Sequence, residues 1–298
     1  MKILLLGKNG QVGWELQRSL SSLGEVLALD SNSQDYCGDL NDLSGLADTV
    51  QRFSPDVIVN AAAYTAVDKA ESDQAHAHRV NSQAPGVLAR EAKKLNAVLV
   101  HYSTDYVFTG NGNKPWQETD PVAPLSVYGS TKLEGEKEIL ASGCSHLIFR
   151  TSWVYAARGN NFAKTMLRLA RERDSLNVID DQFGTPTGAD LLADVTAHAI
   201  RALHQQPELS GIYHLAAGGE TTWCRYARFV LEQALAAGVE LNVAPQQVGA
   251  ITTEAYPTPA KRPKNSRLNT QKLQMAFSLY LPDWQYGVAR MLVETLEK

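Results

Sequence analysis

Ile3 to Leu6 is a short, continuously apolar run that stops on GKNGQVG and gives way to an amphipathic segment, Trp14 to Leu23. An apolar run too short for a helix, then a glycine cluster, then a helical period together specify strand, turn, helix. The alternation recurs. Val26 to Leu29 ends on Asp30, a helical stretch reaches about Phe53, and Asp56 to Asn60 (DVIVN) is an apolar strand running into AAAYTAVDKAE. Ala70 to Leu95 reads as one long Ala-rich helix in which Pro85 predicts a kink or break, because proline lacks the backbone donor. Ala97 to Tyr102 is the fourth strand, delivering Ser103, Thr104 and Asp105 at its carboxyl end, and His146 to Phe149 is the fifth. Such alternation predicts an α/β fold, a doubly wound parallel sheet whose ligands bind beyond the carboxyl ends of the strands.

The second half is less regular. Asn161 to Arg173 and Leu191 to His204 read as helices, Leu176 to Ile179 as a strand, and Gly211 to Ala216 as a further strand of the main sheet. Between Leu241 and Lys264 the prolines at 245, 257, 259 and 263 mark irregular structure. The expected division is a dinucleotide-binding domain over 1–152, with return segments near 176–217. A smaller, interleaved substrate-binding region would take 153–175 and 218–298.

Composition removes several function classes. The 298 residues carry a net charge of −4 with no polybasic run, so nothing electrostatic favours nucleic acid or an acidic membrane. No stretch approaches the roughly 18 uncharged apolar residues of a spanning helix, and the first strand is no signal peptide. Cys37, Cys144 and Cys224 are isolated thiols, which fit a reducing cytoplasm better than a disulfide framework. The histidines are scattered; His76 and His78, two apart, would diverge on a helix, so metal ligation there is not expected. Glu15, Asp190 and Glu294 are further acidic candidates, but no spacing makes any two of them a ligand pair.

Two stretches carry chemistry. Gly7, Gly10 and Gly13 follow the first strand, where glycine lets the backbone turn sharply and approach a pyrophosphate at a helix N-terminus. Their spacing differs from the familiar fingerprint, whose first two glycines are two apart. Asp30, at the end of the second strand, is placed to accept a ribose 2′-hydroxyl and repel a 2′-phosphate. Lys8, Ser31, Asn32 and Ser33 would instead accommodate that phosphate, so NADH and NADPH both stay open. In VYGSTK, Tyr128 and Lys132 share one helical face. An ammonium beside a phenol favours the phenolate, so the expectation is a Tyr drawn toward working pH that hands a proton to a carbonyl oxygen.

GKNGQVG, Asp39-Leu40, NAAAYTAVDKAE, STDYVF and the Tyr128/Lys132 pair together resemble the extended short-chain dehydrogenase/reductases, a Rossmann-type family. AAYTAVDKAE, STDYVFTG, RTSWVY, DDQFGTPT and RPKNSRL narrow the resemblance to the branch that reduces the C4 ketone of a dTDP-linked 4-keto-6-deoxysugar, the last step toward dTDP-L-rhamnose. The resemblance implies catalytic roles for Tyr128 (proton donor), Lys132 (holding the nicotinamide ribose and lowering the Tyr pKa) and Thr104 (hydrogen bond to the substrate oxygen). It implies cofactor contacts at Gly10, Gln11, Val12, Asp30, Asp39, Leu40, Ala63, Tyr64, Thr65 and Tyr102, beside Gly7 of the glycine turn. It places the sugar against Thr104, Asp105, Tyr128 and Trp153. A homodimer and, in some members, a structural Mg²⁺ of unknown ligands are implied as well. The alternatives are another nucleotide-sugar 4-ketoreductase, an epimerase or 4,6-dehydratase, or a non-enzymatic dinucleotide-binding regulatory subunit. A dehydratase commonly needs an acidic pair where this chain has Asp105-Tyr106.

Overall fold

A computed structural model describes residues 1–296. Its centre is a six-stranded parallel sheet built from β1 (Lys2–Leu6), β2 (Glu25–Leu29), β3 (Val57–Asn60), β4 (Val98–Thr104), β5 (Ser145–Thr151) and β6 (Gly211–His214). They lie in the order β6-β5-β4-β3-β1-β2, so the direction of winding reverses between β1 and β3. A crevice opens at the carboxyl ends of the strands where it does.

Strand alternation decides which side chain faces which layer. Ile3, Leu5, Val57, Val59, Val100, Leu147 and Phe149 form one core with Leu16 and Leu20 of the helix Gln11–Leu20 and Leu192 of the helix Ala189–Gln205. Leu4, Leu6, Ile58, Leu99 and Ile148 form a second core with the helices Leu43–Phe53 and Ala84–Leu95. Both sheet faces are therefore covered, as near-continuous apolar strands require.

A third cluster lies under the remaining chain. The helices Phe162–Glu172, Trp223–Ala236 and Trp284–Leu296 enclose Tyr226, Val230, Leu231, Trp284 and Met291. The strand Leu176–Ile179 pairs there with Val248–Ile251. The apolar stretches Leu231 to Leu241 and Met291 to Leu296, which by sequence suit an interface or a core equally, contribute Leu231, Met291 and Leu292 to this core.

Two elements differ from the sequence reading. The long Ala-rich helix is divided: a short helix Val67–Ala70 stands apart, and Gln74–His78 passes through a π-helical turn, Arg79–Gln83, into Ala84–Leu95. Pro85 sits in the first turn of the last piece, where its missing N–H costs least, and the widened turn absorbs the rest. β4 also runs on to Thr104, because its ladder with β5 continues to Thr104 opposite Thr151. Among the described residues, no helix is long and apolar enough to cross a membrane.

Candidate active site

The crevice begins at the glycine turn. Gly7 has φ +89°, and a Cβ there would lie 2.7 Å from the Ala62 nitrogen; a Cβ on Gly13 would lie 2.0 Å from the Gly7 carbonyl oxygen. Both positions exclude a side chain, and the close packing points the helix Gln11–Leu20 at the crevice. That helix has no side-chain cap at Gly10, which leaves its first-turn N–H groups to bind an anion.

Two cavities flank the turn. One of about 290 Å³ is bordered by Gly7, Gly10, Asp30, Asp39, Leu40, Ala63 and Tyr64. The other, of about 510 Å³, is bordered by Gly7, Gly10, Gln11, Val12, Ala63, Thr65, Tyr102, Tyr128 and Lys132. A dinucleotide has two such halves, joined by the diphosphate at the glycines.

Asp30 is already engaged. Its carboxylate accepts from the Asn32 backbone N–H at 2.9 Å, from the Ser33 hydroxyl at 3.2 Å and from Asn9 Nδ2 at 2.5 Å, with Lys8 Nζ at 3.7 Å. The Asn32 N–H foremost, with Ser33 and Lys8 helping, holds it below the ordinary carboxylate range. Lys8, Asn32 and Ser33, read from the sequence as rivals to Asp30, are its partners here.

The other end is buried. Ser126 caps the helix Val127–Ser142, accepting from the Gly129 N–H at 3.2 Å, and Glu71 accepts from the Val127 N–H at 2.9 Å. That start places Tyr128 and Lys132 one turn apart on the large cavity. Burial, then the Asp105 carboxylate, pushes the Tyr128 phenol up to about 12, while the Thr104 hydroxyl beside it pulls the other way. The phenol is therefore not drawn toward neutrality as its spacing from Lys132 suggested. Lys132 Nζ instead donates to the Tyr102 carbonyl at 2.5 Å and lies 3.1 Å from His101 Nε2. Burial lowers Lys132 to about 8, with Glu136 opposing. Thr104 Oγ1 donates to Asp105 Oδ1 at 3.2 Å and accepts from the Tyr106 N–H at 3.1 Å. Asp105 is 1% exposed, and burial raises its carboxyl to about 7. Tyr106 meets Tyr128 edge to face at 5.5 Å.

A sequence profile of the RmlD substrate binding domain matches residues 1–297. The dTDP-4-dehydrorhamnose reductases of Shigella flexneri and Escherichia coli K12 are 61% and 60% identical to this chain over 294 residues, 99% of this chain and 98% of theirs. The chain belongs to the dTDP-4-dehydrorhamnose reductase family. Among solved structures, the Clostridium acetobutylicum member superposes with a TM-score of 0.89 at 35% identity, covering 100% of both chains. The Bacillus anthracis member, solved in complex with NADP, superposes at 0.86 with 32% identity and 99% of both chains covered.

In this reductase fold the sugar-site candidates are divided. Thr104, Asp105 and Tyr128 come together at the end of β4, whereas Trp153 packs against the third cluster, in the smaller region of the chain that forms a cap beside the sheet. Trp153 takes the left-handed conformation, φ +48°, and its ring stacks on Trp223 at 3.6 Å. A bulky residue held at positive φ is a strained position that its packing must maintain.

Glu15, Asp190 and Glu294 do converge on one small cavity, but Arg290 shares it, 3.7 Å from Asp190 and 3.5 Å from Glu294. An arginine already supplies a cation there. Among the described residues of this one chain no group of three or more His, Cys, Asp or Glu side chains is placed to hold a metal ion.

Sequence reading missed the supports of the site. Arg150 donates to both oxygens of Glu136, at 2.9 and 2.7 Å, with each side chain at most 4% exposed, and Ser103 adds a 2.5 Å hydrogen bond to Glu136. This fixes β4 and β5 to the Tyr128 helix directly behind Thr104 and Tyr128. Asp68 receives Arg262 at 2.8 Å and the Ala260 N–H at 3.2 Å, tying the cap to the crevice wall. None of these pairs is local in sequence.

Proposed function

We propose that this chain reduces the C4 ketone of dTDP-4-dehydro-L-rhamnose to dTDP-L-rhamnose with NADPH or NADH, the final step of dTDP-rhamnose synthesis. The observation that carries the reading is the placement of Tyr128, half-buried on the cavity that begins at the glycine turn, beside the buried Thr104 hydroxyl. The Gly10, Gln11 and Val12 backbone receives the diphosphate, Lys132 and Tyr102 border the nicotinamide side, and Asp39, Leu40 and Tyr64 border the adenosine side. The bound reduced nicotinamide supplies a hydride to C4. Negative charge then grows on the carbonyl oxygen, to which Thr104 and Tyr128 donate, and Tyr128 completes the proton transfer. A phenol with its pKa at about 12 is protonated at every working pH, which suits a donor in the reducing direction.

Residues 1–152 with 176–217 hold the dinucleotide in this reading; 153–175 and 218–298 close over the sugar, with Asp105 and Trp153 as its contacts. Asp30 is already paired with Lys8 and hydrogen-bonded by Asn9, so a 2′-phosphate is not excluded. Homodimerisation, which rests on resemblance, and a cytoplasmic location, which rests on the isolated thiols Cys37, Cys144 and Cys224, are part of the same proposal. The test is stoichiometric oxidation of reduced nicotinamide on adding the keto-sugar. Conversion without net oxidation supports an epimerase, and dinucleotide binding without conversion supports a regulatory subunit.

A further inference from the structure

Behind Lys132 lies a buried hydrogen-bonded chain that the reaction as described does not use. Asn60 closes β3 and His101 lies opposite it on β4, in register, so their side chains emerge side by side on the face covered by the helix Val127–Ser142. Asn60 and His101 are each 1% exposed and Lys132 is 2% exposed. Four contacts connect them: Ala62 N–H to Asn60 Oδ1 at 3.2 Å, Asn60 Nδ2 to His101 Nδ1 at 3.2 Å, His101 Nε2 to Lys132 Nζ at 3.1 Å, and Lys132 Nζ to the Tyr102 carbonyl at 2.5 Å.

The order of donors along this chain is forced from one end. A backbone N–H only donates, so the Asn60 oxygen faces Ala62 and its NH₂ faces the ring. An amide NH₂ also only donates, so His101 Nδ1 is an acceptor. In a neutral imidazole the proton then sits on Nε2, the nitrogen that points at Lys132. Burial and the neighbouring Lys132 both hold the ring neutral, far below its ordinary pKa. An Nε2–H facing an ammonium sets donor against donor; facing a neutral amine it makes a hydrogen bond.

We infer that His101, its tautomer fixed by Asn60, is a positioning residue that favours the amine form of Lys132 and so sets the upper pH limit at which the Tyr128 site works. The inference rests on the reductase reading only for that last consequence. The other charged groups facing Lys132 are Glu136, one turn along its own helix and paired with Arg150 of β5, and the Tyr128 phenol one turn before it. Glu136 favours the ammonium, and the histidine opposes it. Burial has brought the group to about 8 against Glu136, so it titrates at mildly alkaline pH.

The first test reads the tautomer directly by ¹⁵N NMR of the histidine-labelled wild-type protein. The His101 signals, assigned by their loss in His101→Phe, should show a non-titrating ring with Nε2 protonated and Nδ1 bare. A His101 ring with Nδ1 protonated overturns the inference whether or not the protein turns over the keto-sugar. The second test is the pH profile of kcat in Asn60→Asp. Its two carboxylate oxygens accept from both Ala62 and a His101 Nδ1–H, which frees Nε2 to accept from the ammonium. The alkaline limb should move up by about one pH unit. A rate lowered equally at all pH values, with the limb unmoved, assigns His101 and Asn60 a packing role only and contradicts the inference. Absence of turnover by the wild type would instead sink the reductase reading, leaving the NMR result to decide this one.

Discussion

The two ends of the crevice are built on opposite principles. At the adenosine end, Asp30 is solvated and shares itself among Lys8, Asn9, Asn32 and Ser33, all within three residues of it or in the glycine turn. At the Tyr128 end, Thr104, Asp105 and Lys132 are buried and Tyr128 is half-buried, and behind them β3, β4, β5 and the Tyr128 helix are joined by buried polar contacts. Exposed charges are cheap to rearrange and contribute little each; buried ones cost much to desolvate and hold one arrangement. On the proposed reading the first end would tolerate two cofactors, while the second would be committed to one proton geometry.

The comparison breaks most severely at Glu136. Glu136→Leu leaves Arg150 buried without its partner and should cost about 3–5 kcal/mol of stability, read by denaturant unfolding. Thr104→Val keeps the shape but removes a donor to the developing oxyanion. It should lower kcat by roughly 10²-fold while dinucleotide affinity, measured by fluorescence titration, stays within about twofold.

Asp105 sharpens the comparison through pH. Its folded-state pKa, about 7, lies above the unfolded value, so the folded state binds more protons between the two and stability falls as pH rises through that window. Asp105→Asn removes the cost of burying the charge. The variant should be more stable than wild type at pH 8, on the order of 2–4 kcal/mol, and the two should converge below about pH 4. Thermal unfolding at the two pH values checks this. The smallest effect belongs to the exposed end: Lys8→Ala should shift preference from NADPH toward NADH by roughly fivefold, about 1 kcal/mol, seen in the ratio of their KM values.

Legibility in the sequence follows the same division. The parallel sheet was readable because strands buried on both faces are continuous apolar runs, and every strand of the main sheet falls within a few residues of its run. The glycine turn, Asp30 and the Tyr128/Lys132 pair were readable because their spacing is local. His101 was not, since a histidine within an apolar strand looks like core until register sets Asn60 beside it. Nor was the direction of the Tyr128 shift, because burial and the Asp105 carboxylate raise the phenol while Lys132 turns to His101 and the Tyr102 carbonyl. The pairing of Leu176–Ile179 with Val248–Ile251, which shapes the cap, joins segments with no local signal at all.

The most direct measurement is oxidation of NADPH and of NADH on adding dTDP-4-dehydro-L-rhamnose to the wild-type protein and to Tyr128→Phe, with dinucleotide affinity measured in both. The account predicts one reduced nicotinamide consumed per sugar in the wild type. It predicts a loss in Tyr128→Phe of roughly 10³-fold in kcat, with affinity nearly unchanged. Undiminished turnover in Tyr128→Phe would contradict it.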